Sequence, residues 1–135
     1  IRYDIASVIK LLEKTLYKAS ISIDGKASDI SCAFMVGCNS VHTGKGMKIA
    51  PSGGFYDEMM DMVIVKDDVS RLQLISIFKK VYTGEHADLP YVHMSQIKSF
   101  SIDALKDSYF NVDGEIIKSR KVSAQILPKT IKLLV

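Results

Sequence analysis

From Ser20 onward the chain breaks into short runs in which apolar and polar residues alternate or cluster at strand length, each closed by a Gly, Pro, Asn or Asp signal. A repeat of two is what a strand with unlike faces requires, and many such runs in succession leave little besides a sandwich or flattened barrel. Ser20-Ile21-Ser22-Ile23-Asp24-Gly25 alternates and ends on a turn pair, which predicts a strand and hairpin. Ile30 to Cys38 is almost wholly apolar and predicts a buried central strand; Met59 to Val65 predicts another. Beyond Pro90 follow Tyr91–Met94, Ile97–Ile102, Ser108–Val112, Lys121–Ile126 and Thr130–Val135.

Helical spacing occurs in two places. Ile5, Val8, Ile9, Leu12 and Leu16 form one stripe over residues 2–18. Leu72, Ile75, Phe78 and Val81 form another, preceded by acidic N-cap candidates at Asp67 and Asp68 and stopped at Gly84, which predicts a helix near 68–83. The fold class expected is therefore mostly β (α+β): a two-layer β-sandwich with an N-terminal helix and one further amphipathic helix. At 135 residues and 47% hydrophobic content this is a single domain, residues 1–135, large enough for a core of its own. Residues 39–56, rich in Gly and interrupted by Pro51, with a short apolar island at Met47–Ala50, predict either a long connection or two short strands linked by a glycine turn.

Charge excludes more than it suggests. A net charge of +3 with acids interleaved among the Lys and Arg residues gives no basic stripe, so nucleic acid is not an expected partner. Cys32 and Cys38 stand six residues apart, about 20 Å along a strand and too far for a disulfide. Two free thiols in apolar surroundings point to a reducing, intracellular setting such as the cytoplasm. The chain begins at Ile1 rather than Met, which predicts a piece of a longer protein.

The chemistry-bearing stretch is Phe110-Asn111-Val112-Asp113-Gly114-Glu115-Ile116-Ile117, with two carboxylates around a Gly between apolar residues. Asp-Gly is the preferred pair for a tight hairpin, so one reading is a solvated turn. The other is an acid/base site, since a carboxylate in an apolar cleft gains basicity. Thr43-Gly44-Lys45-Gly46 is dense in glycine but is followed by strand-like residues, so it is no phosphate-binding loop. His42, His86 and His93 are scattered and read as surface or strand decoration. Met59, Met60 and Met62 suit either an apolar ligand pocket or ordinary core packing.

Four segments in fixed order resemble the C-terminal domain of lipid kinases related to diacylglycerol kinase and sphingosine kinase. They are Arg2-Tyr3 and its helix with the strand ending at Gly25; Gly37-Cys38-Asn39-Ser40 through Met47-Lys48-Ile49-Ala50-Pro51; Tyr56-Asp57-Glu58-Met59-Met60-Asp61 with its strand and helix; and Asn111-Val112-Asp113-Gly114-Glu115 followed by Ile126-Leu127-Pro128. The resemblance implies a two-domain enzyme whose N-terminal nucleotide-binding domain, bearing Gly-Gly-Asp-Gly, is absent from this chain. It implies transfer of the γ-phosphoryl of ATP to a lipid hydroxyl, with Glu115 as proton acceptor and Asp113 and Gly114 against the nucleotide. A structural Mg²⁺ would be held by Asp57 with the carbonyls of Gly54 and Met59.

The chain departs from that family at two points: Glu58 replaces the usual Gly after the metal-binding Asp, and Lys45 stands in the glycine turn. ATP and Mg²⁺ are thus the implied cofactors, with a lipid substrate, peripheral membrane contact and the missing domain as partners. Self-association to a homo-oligomer is also expected, through the face meant for that domain. Two rivals stand beside this reading: a non-catalytic lipid-binding or assembly module that kept the fold, and a fragment of an NAD kinase.

Overall fold

The computed structural model describes residues 16–41, 46–52 and 58–127. The described residues form three strands, one α-helix, one 3₁₀ turn and three further strands: β1 (Tyr17–Ile23), β2 (Lys26–Cys38), β3 (Met60–Lys66), α1 (Arg71–Lys80), the 3₁₀ turn Glu85–Asp88, β4 (Val92–Ile97), β5 (Ser99–Val112) and β6 (Glu115–Gln125). The strands form one sheet in the order β4-β3-β2-β1-β5-β6, every pairing antiparallel.

This sheet cannot be flat. β4 and β5 are separated in the sheet by β3, β2 and β1, a span of about 19 Å at the usual strand spacing. In sequence only Lys98 lies between them, and two residues of chain reach at most ~7 Å. The sheet therefore folds over itself, and its two halves become the two layers of a sandwich. The contacts agree: Phe100 of β5 and Ile23 of β1 pack on Met60, Met62 and Ile97 from β3 and β4. A Cβ placed on Gly37 of β2 would lie 3.0 Å from the Phe100 ring, across the layers.

The corner at Lys98 is held by the β1–β2 turn. Asp24 Oδ1 accepts from the Lys98 and Ser99 amides at 2.9 and 2.9 Å, and its own amide donates to the Ser99 carbonyl at 3.0 Å. The Ile126 amide donates to the Lys98 carbonyl at 2.9 Å, so the corner's backbone groups find partners. These bonds hold the Asp24 carboxyl below its ordinary value.

β3 is the strand buried on both faces. Val63 and Val65 face α1 with Ile49, Ala50, Val69, Leu74, Val81 and Val92, while Met60 and Met62 face the other layer. Each fully buried aliphatic side chain there contributes roughly 1.5–3 kcal/mol. β2, the strand expected to be most buried, is interior in the sheet but only half-covered. Its first half pairs with β1 and its second with β3, with a shift of register between Cys32 and Phe34.

The helix is real but shorter than 68–83, and its cap is not acidic. Ser70 caps it: the Gln73 amide donates to Ser70 Oγ at 3.1 Å and the Ser70 amide to Gln73 Oε1 at 2.8 Å. That reciprocal box outcompetes Asp67 and Asp68. The buried stripe is Leu74, Ile77 and Val81, whereas Leu72 is 79% exposed. Most of the helix expected over 2–18 lies outside the described residues, but Tyr17 and Lys18 belong to β1, where they pair with Cys32 and Ser31. The strand expected over Thr130–Val135 also lies outside them.

Candidate functional site

The chemistry-bearing stretch forms the end of a ribbon. Beyond Asp103, β5 has left β1 behind and pairs with β6 alone. The departure is marked by a bulge: residues 104–107 stand opposite Arg120, with Leu105 at φ 67. Arg120 clamps its base through Nε–Asp103 Oδ1 at 2.9 Å and Nη2–Asp103 Oδ2 at 3.3 Å. The guanidinium holds the Asp103 carboxyl below its ordinary value, and the Leu105 amide lowers it further.

From Ser108↔Ser119 to Val112↔Glu115 the ribbon runs about 13 Å toward its tip. There Asp113 at φ 50 and Gly114 at φ 92 make the two-residue turn that matches the twist of a hairpin. The Gly114 amide donates to Asn111 Oδ1 at 2.8 Å, which adds a side-chain lock to the turn. Only Gly takes φ 92 without cost. The hairpin reading of Asp-Gly is thus correct in geometry, and it is also what sets Glu115 in place.

Paired residues share a face and neighbours alternate. Glu115 pairs with Val112 and Ile117 with Phe110, so these four share one face. Asn111 pairs with Ile116 and Tyr109 with Lys118 on the other. The result is a carboxylate set at the end of an apolar surface, with Val112 47% and Ile117 40% exposed. Only apolar side chains adjoin Glu115 on its own face of the ribbon, down to Phe110 and Ile117. The signal for this was present in the sequence, because period two continues through a two-residue turn. It is read only once β6 is seen to begin at Glu115, ahead of the Lys121 start expected for that strand.

The second segment singled out is anchored elsewhere. Lys48 donates its amide to the Val81 carbonyl at 2.8 Å at the end of α1, and Ala50 donates to Val41 at 3.3 Å. His86, expected as surface decoration, is instead 1% exposed, and its Nε2 lies 2.9 Å from the Ile49 carbonyl. It pins Ile49 and Ala50 against the core, an arrangement that local sequence could not show because the partners are 37 residues apart. His93 is exposed, as expected, and His42 lies outside the described residues. No hydrogen bond or ion pair among the described residues joins this segment to the hairpin tip.

Of the metal candidates, Gly54 and Asp57 lie outside the described residues, as does Lys45, while Met59 leads into β3. Glu58 adopts φ 55. The backbone there is in the left-handed conformation that Gly would take freely, and Glu adopts it at a cost of about 1–2 kcal/mol. Among the described residues no group of His, Cys, Asp or Glu is gathered to hold a metal ion.

Met62 is fully buried and Met60 5% exposed, so both pack the core. Cys32 and Cys38 are free thiols. Burial, then Asp61, pushes Cys38 up to about 11, which keeps it protonated and unreactive near neutral pH. Two open troughs of about 350 and 390 Å³ lie over β1, β5 and β6, lined by residues such as Ser22, Ser101 and Ser123, and neither includes Glu115.

Comparison with known proteins places the chain among relatives longer than itself. A family model described as the YegS C-terminal NAD kinase beta sandwich-like domain matches residues 1–135. "Sphingoid long-chain bases kinase 1" of Arabidopsis thaliana is 34% identical over 89 residues, 64% of this chain and 12% of that protein. "Probable lipid kinase YegS-like" of Shewanella frigidimarina is 24% identical over 132 residues, 98% of this chain and 42% of that protein. A crystal structure described as "a putative diacylglycerol kinase from Bacillus anthracis str. Sterne" superimposes with a TM-score of 0.72 at 17% identity, covering 93% of this chain and 43% of its own. The chain thus spans less than half the length of each of these relatives.

Proposed function

The chain belongs to the YegS C-terminal NAD kinase beta sandwich-like domain family, and from that premise we propose that it is the lipid-facing half of an ATP-dependent lipid kinase. The observation that carries this reading is the Glu115 face. A carboxylate stands at the tip of a hairpin with Phe110, Val112 and Ile117 beside it, open to solvent in a domain that covers under half of its relatives. A second domain closing over that face would remove its water, the condition under which a carboxylate becomes an effective base.

Phosphoryl transfer asks mainly for positioning and charge neutralisation, but the acceptor hydroxyl must also give up its proton. Glu115 accepts that proton as the lipid oxygen attacks the γ-phosphorus, and the nucleoside diphosphate leaves. Asp113 and the Gly114 backbone lie within the same turn and border the nucleotide. The clamp of Arg120 on Asp103 and the Asn111 lock keep the tip from drifting, which matters because small displacements of a base are costly in rate.

Mg²⁺ neutralises phosphate charge in such reactions. In this chain a structural ion would rest on Asp57 with the Gly54 and Met59 carbonyls, and the left-handed backbone at Glu58 is the feature of the described residues that fits such a loop. The substrate is an amphiphile bearing a hydroxyl, of the diacylglycerol or sphingosine kind. No helix among the described residues is long and apolar enough to cross a membrane, and contact with lipid is proposed to be peripheral.

The test is transfer of radiolabelled γ-phosphate by the full-length protein to dispersed diacylglycerol, sphingosine or NAD. Label in a lipid supports the reading. Label in NAD alone supports the NAD kinase alternative, and lipid binding with no transfer leaves the non-catalytic module.

A further inference from the structure

The ribbon has a second face that the proposed site does not use. Tyr109 is 73% exposed and Ile116 63%. Their register, Tyr109↔Lys118 and Asn111↔Ile116, makes them diagonal neighbours within reach of one another. A two-stranded ribbon in water is at best marginally stable, and this one carries large apolar side chains on both faces. One partner cannot cover both. Whatever closes on Glu115 leaves Tyr109 and Ile116 outside.

Charge is segregated between the faces. Glu115 lies with Val112 and Ile117, whereas on the Tyr109 and Ile116 face the charged residue among the tip pairs is Lys118. An aromatic with a polar tip, a branched aliphatic and a lysine with a long apolar stem are the side chains that settle at a boundary between hydrocarbon and anionic headgroups. A protein partner would be matched by shape as well; here the face is narrow, Asn111 is engaged with the Gly114 amide of the turn, and the charged group among the tip pairs is the Lys118 cation.

We propose that this outer face, Tyr109 and Ile116 with Lys118, docks on an anionic lipid surface. The two apolar side chains enter the headgroup boundary and Lys118 meets phosphate or carboxylate oxygens. The proposal rests on the lipid-kinase reading for its biological sense, since it would hold the opposite, Glu115-bearing face close to a substrate dissolved in the same bilayer.

The experiment uses the full-length protein with vesicles of phosphatidylcholine alone or mixed with phosphatidylserine. The wild type is expected to sediment with the mixed vesicles. Lys118→Glu, a swing of two charges, is expected to weaken that partitioning roughly 30-fold. Tyr109→Ser with Ile116→Ser is expected to abolish it and to lower turnover on vesicle-borne lipid, while turnover on a short-chain lipid dispersed as monomers stays within about twofold. Wild-type partitioning by both variants overturns the proposal. So does conversion of a stable dimer to monomer by the same substitutions, which would assign the face to a second copy of the chain. Absence of turnover on the monomeric lipid by the wild type would count against the kinase reading instead, and vesicle binding would still be read independently of it.

Discussion

At the scale of single residues, several positions hold conformations or charges that the chain keeps for a reason. Glu58 at φ 55 does with a side chain what Gly does without one. Glu58→Gly should raise stability to denaturant by up to about 1 kcal/mol, the reverse of what an introduced Gly normally does. A loss of stability would show that the Glu side chain makes a contact worth more than the strain. Asp24 ties a turn to the sandwich corner through two backbone amides that hold its carboxyl below the ordinary 3.8. Its stabilising effect is therefore present above that value and is lost as pH falls through the lowered one. Asp24→Asn keeps the tolerance for φ 49 and an acceptor oxygen but removes the charge. The variant should melt below the wild type at neutral pH, and the gap should close in melts run well below pH 3.8. A gap that is independent of pH would assign the effect to shape rather than charge.

At the scale of elements, local chemistry was readable where it acts within a few residues and not where it acts across the fold. Asp24-Gly25 and Asp113-Gly114 were legible as turns because positive φ at both positions asks for those residue types. The helix was legible as a helix, yet its stripe was misplaced, because Leu74, Ile77 and Val81 are chosen by contact with β3 and β4 rather than by periodicity alone. Asp67 and Asp68 drew the N-cap too early; the Ser70–Gln73 box is a two-sided bond that a one-residue preference does not reveal. His86 illustrates the long-range limit: its partner is the Ile49 carbonyl. The same neighbourhood contains Gly84 at φ 83, where an added Cβ would come within 2.9 Å of Pro51 Cβ. Gly84→Ala should destabilise by roughly 1–3 kcal/mol and speed exchange of the Lys48 amide, since both the backbone and the Met47–Pro51 segment must shift. Unaltered exchange at Lys48 would mean that the segment is held without the Gly84 contact.

At the scale of the whole molecule, the sheet order and the single residue between β4 and β5 fold one sheet into two layers, and that closure sends β5 and β6 out beyond β1 as a ribbon. The mostly-β class follows from the density of alternating runs. The topology did not, because sequence periodicity carries no information on which strands meet. The site was legible as residue types around Asp113-Gly114-Glu115, whereas the face that Glu115 shares with Phe110, Val112 and Ile117 depends on register. The role proposed for this face is to contribute the proton acceptor to phosphoryl transfer in a larger enzyme. The most direct test is turnover of full-length Glu115→Gln at saturating ATP and lipid, alongside its melting temperature. Glu115→Gln keeps size and the hairpin but cannot take the proton, so turnover should fall by ~10² to 10⁴ with melting unchanged. Near-normal turnover in a well-folded Glu115→Gln protein would contradict the claim and leave Glu115 as a residue of the turn.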